Sequence, residues 1–171
     1  MAGNEPSRLR VVCDAGPLIH LHELGCLDLL TDFAAVLVPE SVWREVERHR
    51  PEALAIREVT LERVSPAQAE PPELETLARL LTLHQGERDA LRVARGRKAG
   101  LFFTDDTAAR LAAGNLGLPA HGTVGLIARA IRRGQRTKGQ VLGILRAIPT
   151  ASTLHLKRSL LDTIIAEVEK S

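Results

Sequence analysis

Short apolar runs alternating with stretches of helical periodicity set the pattern of this chain. Leu9-Arg10-Val11-Val12-Cys13 is brief, β-branched and stopped by Asp14-Ala15-Gly16-Pro17, which reads as a buried strand entering a turn and then a helix. Two short helical pieces follow at 18–23 and 27–32. Ala35-Val36-Leu37-Val38 predicts a second strand ended by Pro39, and residues 41–48 a helix with Val42 and Val46 on one face. Residues 59–64, between Pro51 and a stretch broken by Pro66, Pro71 and Pro72, read as a short edge strand.

Leu74, Leu77 and Leu81, then Ala90, Leu91 and Ala94, repeat at helical spacing and predict helices over 73–83 and 87–97. Leu101-Phe102-Phe103-Thr104 is the clearest strand pattern. Asp105-Asp106 open a helix over 107–113 closed by Gly114, and 118–120 predict a last short strand. Leu126, Ile127, Ala130 and Ile131 then form one helical stripe, and Leu160, Leu161, Ile164, Ile165 and Val168 another. Strands separated by helices predict an α/β fold, a parallel sheet of four to five strands flanked by helices on both faces.

The 171 residues, 44% of them apolar, suffice for one globular core. The longest apolar run, 33–38, falls far short of the roughly 20 residues that cross a bilayer. Cys13 and Cys26 sit among apolar neighbours without CxxC spacing, and the polar start is no secretory signal. A reduced, cytoplasmic setting is expected, with no membrane partner.

The formal charge of +2 averages two unlike segments. Residues 107–161 hold no Asp or Glu and nine basic side chains, so the remainder carries 14 − 21 = −7. Such a split suits a polyanion-facing region beside an acidic cluster, and equally a solvated basic surface.

In open parallel sheets, ligands bind outside the carboxyl ends of the strands. Asp14 and Asp105-Asp106 both fall at that edge. Helix capping accounts for either alone, but capping does not require them to share an edge. Glu45, three residues after Val42, shares the inward side of its helix, and Glu40 and Glu47 have weaker claims. Glu87 begins a helix that starts at the same edge, where the helix dipole alone also favours an acid. Carboxylates about 4 Å apart repel by about 4 kcal/mol at an effective dielectric of 20, so a cluster needs protons or a cation. All-oxygen donors select hard ions such as Mg²⁺ or Mn²⁺, which polarise a phosphate and activate a water.

Val11-Val12-Cys13-Asp14-Ala15-Gly16-Pro17-Leu18-Ile19, Val38-Pro39-Glu40-Ser41-Val42-Trp43-Arg44-Glu45, Gly86-Glu87 and Phe103-Thr104-Asp105-Asp106-Thr107-Ala108-Ala109-Arg110 resemble, in order, the motifs of PIN-domain proteins. Residues 117–125 and the helix end at 131–134 are similar to the branch described as nucleic-acid-binding. The resemblance implies a Mg²⁺- or Mn²⁺-dependent ribonuclease cutting single-stranded RNA, in many relatives a VapC-type homodimeric toxin restrained by a small antitoxin. By position it implies Asp14, Glu45, Glu87 and Asp106 as catalytic acids. Asp105 and Asp89 stand beside Asp106 and Glu87 as rival metal ligands. It implies a PIN-like domain over 9–147 after a flexible start at 1–8, with 148–171 a helical extension packed on the same domain.

Arg129, Arg132, Arg133 and Arg136, at i, i+3, i+4 and i+7, read with Arg110 as candidate phosphate contacts, or as cations favoured near a helix C-terminus. With four aromatic residues, base stacking is a minor theme and recognition is expected to follow backbone charge. His20 and His22, two apart, read as structural. An Asp-nucleophile phosphatase would want an acid two residues after Asp14, where Gly16 stands. A PIN-like module that binds nucleic acid with little catalysis is the reading from another class.

Overall fold

The computed structural model describes residues 7–66 and 69–171, with the side chains of Ser7 and Arg8 set aside. Five parallel strands, β1 (Ser7–Cys13), β2 (Phe33–Pro39), β3 (Leu61–Val64), β4 (Leu101–Phe103) and β5 (Ala120–His121), lie in the order β3-β2-β1-β4-β5. Chain direction across the sheet reverses at β1. The strand climbs to β2 and β3 on one side, then returns to place β4 and β5 on the other. The crevice between the carboxyl ends of β1 and β4 is therefore the switch point at which such sheets bind ligands.

Each strand alternates its side chains between two apolar layers, which is why these runs are apolar without interruption. Val11, Cys13, Val36, Val38, Leu101 and Phe103 face one layer. It is roofed by α1 (Ala15–Glu23), α2 (Glu40–His49), α6 (Thr123–Arg132), α7 (Lys138–Ala151) and α8 (Arg158–Lys170). Val12, Leu37 and Phe102 face the other, covered by α3 (Pro72–Leu80), α4 (Gln85–Gly96) and α5 (Thr107–Asn115). No described helix is long and apolar enough to cross a membrane.

Several boundaries differ from the periodic reading. The start expected to be flexible over 1–8 lies outside the described residues only to 6, and Ser7 and Arg8 already belong to β1. Residues 27–32 form a 3-10 turn. The last strand sits at 120–121, after Gly117 turns the chain with a φ of 71°. Helix α7, with Ile148 buried, runs unbroken across the expected division at 147/148.

The basic stripe is the main correction. Helix α6 ends at Arg132, and Arg129 and Arg133 both turn onto the buried carboxylate of Asp32, in the 3-10 turn beneath them. Arg129 also stacks 4.7 Å over the Phe33 ring, and Arg136 bonds Asp28 at 2.7 Å. Burial opposes the charge on Asp32, yet the two guanidinium groups hold its carboxyl below the usual range. These cations fasten α6 to the start of β2 rather than facing a polyanion. Arg132 remains exposed.

Replacing Asp32 by Ala removes the shared acceptor of two partly buried guanidinium groups. The expected loss is about 2 kcal/mol, the scale of hydrogen bonds to charged groups. It should appear as a lower urea midpoint at an unchanged denaturant slope.

Candidate active site

Asp14 follows the last residue of β1 and caps α1. Its backbone N–H continues the β1–β4 ladder by donating to Phe103 O at 2.8 Å. Its Oδ1 accepts from Ala15 N at 2.9 Å and its Oδ2 from Thr104 Oγ1 at 3.0 Å. The Thr104 hydroxyl, fully buried, in turn accepts from Asp106 N at 3.2 Å. One hydroxyl thus links the acid after β1 to the acid after β4. A β-branched threonine suits the place, since its stiff χ1 holds the hydroxyl in one direction.

Glu45 projects from the second turn of α2, and Glu87 from the first turn of α4, both at this edge. Glu87 Oε2 accepts from His84 N at 2.8 Å in a reciprocal capping box, so the helix start holds the side chain in place. Asp106 caps α5, accepting from Ala109 N at 2.7 Å. The four acids feel one another. Burial first, then the charges of Glu87 and Glu45, push Asp14 up to about 7 against the backbone and Thr104 hydrogen bonds. Burial, Asp106 and Glu45 raise Glu87.

The two rivals are engaged elsewhere. Asp105 Oδ1 accepts from Thr123 N at 2.7 Å, its Oδ2 accepts from Thr123 Oγ1 at 2.6 Å, and His20 Nδ1 lies 2.7 Å from Oδ2. Burial opposes ionisation there, but these donors hold the carboxyl low, and the group locks α6 and α1 to the end of β4. Gly122 leaves room for this contact, since a Cβ there would stand 2.7 Å from Asp105 Oδ1. Buried Asp89 accepts from Ser41 Oγ at 2.6 Å and Gln85 Nε2 at 2.8 Å, with Arg92 beside it, and so ties α4 to α2.

The donor set suits a hard cation: four carboxylates, of which Asp14 and Glu87 are raised in part by the charges of the others. Gly86 adds a spatial argument. A methyl there would come 3.5 Å from Glu45 Oε2 and 3.8 Å from Asp14 Oδ1, filling the space between those two oxygens. Among the described residues no three such side chains close on one point. Thr104, Thr123, His20 and Gly86 escaped the reading of the sequence as site residues, although Thr104 and Gly86 stand inside the motifs that carried the resemblance.

An acid raised to about 7 retains its proton in the native state where the unfolded chain, near pH 4, has lost it. The Asp14 contribution to stability is therefore full below about pH 4 and is lost as pH rises to about 7, by up to about 4 kcal/mol. Asp14→Asn removes this loss. In metal-free buffer the variant's melting temperature should exceed that of the parent chain at pH 8, with the gap closing toward pH 4.

A search of curated proteins returned no match. Among solved structures, a PilT N-terminus domain protein from the hyperthermophilic archaeon Sulfolobus solfataricus is 17% identical. It covers 72% of this chain and 94% of its own at a TM-score of 0.51, a likeness of fold. A protein from Pyrobaculum aerophilum, 15% identical, covers 76% of this chain and 100% of its own at a TM-score of 0.44. The family model described as DUF3368, PIN domain, matches residues 10–170. With that span matched and the acids gathered at the β1–β4 switch point, the chain belongs to the PIN-domain family, whose members are generally nucleases.

Proposed function

We propose that this protein is a divalent-cation-dependent endoribonuclease that cuts single-stranded RNA by phosphodiester hydrolysis. The observation that supports this reading best is the placement of Asp14, Glu45, Glu87 and Asp106 around the carboxyl ends of β1 and β4, with Asp14, Glu87 and Asp106 held there by hydrogen bonds. PIN nucleases generally use divalent metals. Asp14, Glu87 and Asp106 are the residues we assign to hold Mg²⁺ or Mn²⁺, with Glu45 at its side. The ion, when bound, supplies charge neutralisation at the phosphate and a water of lowered pKa.

The chain's own contribution is positioning. Thr104 fixes the Asp14 carboxylate while the caps of α4 and α5 fix Glu87 and Asp106. Glu45, exposed and free of such a cap, is the acid we assign to an attacking water as its general base. Asp105 and Asp89 act as positioning residues in this reading. A toxin role with a small antitoxin, and a homodimer, complete the proposal and are tested by a small DNA-binding neighbour gene and by sedimentation. A catalytically weak binding module is the second reading, favoured by the absence of three converging donors among the described residues.

Cleavage of a single-stranded RNA oligomer is expected with Mn²⁺ or Mg²⁺, abolished by EDTA, and reduced by 100-fold or more in Asp14→Asn, in keeping with about 2.7 kcal/mol or more of lost transition-state stabilisation. Undiminished cleavage in EDTA or in that variant defeats the nuclease reading. Titration calorimetry with Mn²⁺ separates the binding module, which need show no ion affinity at these acids.

A further inference from the structure

Most cations of the acid-free stretch 107–161 are spent inside the molecule. Besides the Asp32 and Asp28 pairs, Arg146 bonds Glu169, Arg158 bonds Asp162 and Lys138 bonds Ser171 O. Arg110 and Lys157 differ. Neither forms an ion pair among the described residues, both are exposed, and both line the same groove of about 630 Å³.

The groove is lined by the start of α5, the turn from β5 into α6, and the strap 152–157 with the start of α8. Asp105 and Thr107, on either side of Asp106 in sequence, both line it, so it lies at the same strand end as that acid of the cluster. Asp105 is its single lining acid, and that carboxylate is already taken up by Thr123 and His20. The strap is held rigidly from behind: Glu23, with 5% of its side chain exposed, accepts from Thr153 N at 2.7 Å and Ser152 Oγ at 2.8 Å. Leu156 and half-exposed Leu160 give the outer wall an aliphatic surface. A groove lined by cations from two separate elements, with an aliphatic side and no unengaged acid, fits a chain of phosphates carrying flat, partly apolar bases.

We infer that this groove is the track that carries single-stranded RNA to or from the acidic cluster, with Arg110 and Lys157 neutralising its phosphates. The inference rests on the nuclease reading, and its test does not depend on cleavage. In the Asp14→Asn background, the affinity for a single-stranded RNA oligomer is measured by fluorescence anisotropy across a salt series. Adding Arg110→Gln and Lys157→Gln should weaken binding at least tenfold and lower the slope of log affinity against log salt by about 1.4, two contacts at about 0.7 each. Arg158→Gln, which breaks the exposed pair with Asp162, should leave the slope as it was.

An unchanged slope in the double Gln variant overturns the inference. So does a groove that takes a poly-glutamate peptide through Arg110 and Lys157 while RNA affinity is unmoved, which would assign it to an acidic protein partner. Metal-dependent hydrolysis of bis(p-nitrophenyl) phosphate by the unsubstituted chain reads the acidic cluster separately. Its failure removes the nuclease reading while the binding result stands on its own.

Discussion

The hydrogen bond from Thr104 Oγ1 to the Asp14 carboxylate holds together everything the site is built from. It crosses from the end of β4 to the end of β1, ninety positions apart in sequence, at the one place where the sheet's strand order reverses. Because the same oxygen accepts from Asp106 N, the spacing of the two acids is set by a single buried hydroxyl. A carboxylate placed this deep without a cation is unfavourable, and its raised pKa is the measure of that cost. The fold tolerates it because two apolar layers, one on each face of the sheet, supply ample compensating burial.

Around that bond the acids divide by what they face. Asp14, Glu45, Glu87 and Asp106 act on one another, whereas Asp105, Asp89 and Asp32 each look toward donors that the fold provides. The second set does mechanical work, joining β4 to α6 and α1, α4 to α2, and the 3-10 turn to α6. Neighbouring identical residues, Asp105 and Asp106, thus fall on opposite sides of the division. One turns back to the N-terminus of α6, and the other caps α5 and meets Glu87.

Much of this was legible in the sequence. Val11-Val12-Cys13 and Leu101-Phe102-Phe103 are apolar on both sides because both faces are covered, so strands and parallel class followed directly, as did the edge shared by Asp14 and Asp106. The stripe of Arg129, Arg133 and Arg136 was misleading because spacing along a helix does not say what lies beneath it, and Asp32 is nearly a hundred positions away. The outcome of the rivalry between Glu87 and Asp89 was equally invisible, since it depends on Ser41 and Gln85 donating to one carboxylate and not the other. Helix α7 went unread because Gly139, Gly143 and Pro149 dilute its periodicity, while Thr137 and Gln140 supply a capping box that marks its start.

The grip of Glu23 on Ser152 and Thr153 spans about 130 positions, from the first helix to the strap before the last. Contacts of such separation are the latest a chain can make as it leaves the ribosome. Every acid of the cluster, the last at position 106, has therefore been synthesised well before the strap exists to wall the groove. The nascent protein passes through an interval in which its charge cluster is present and its outer wall is not.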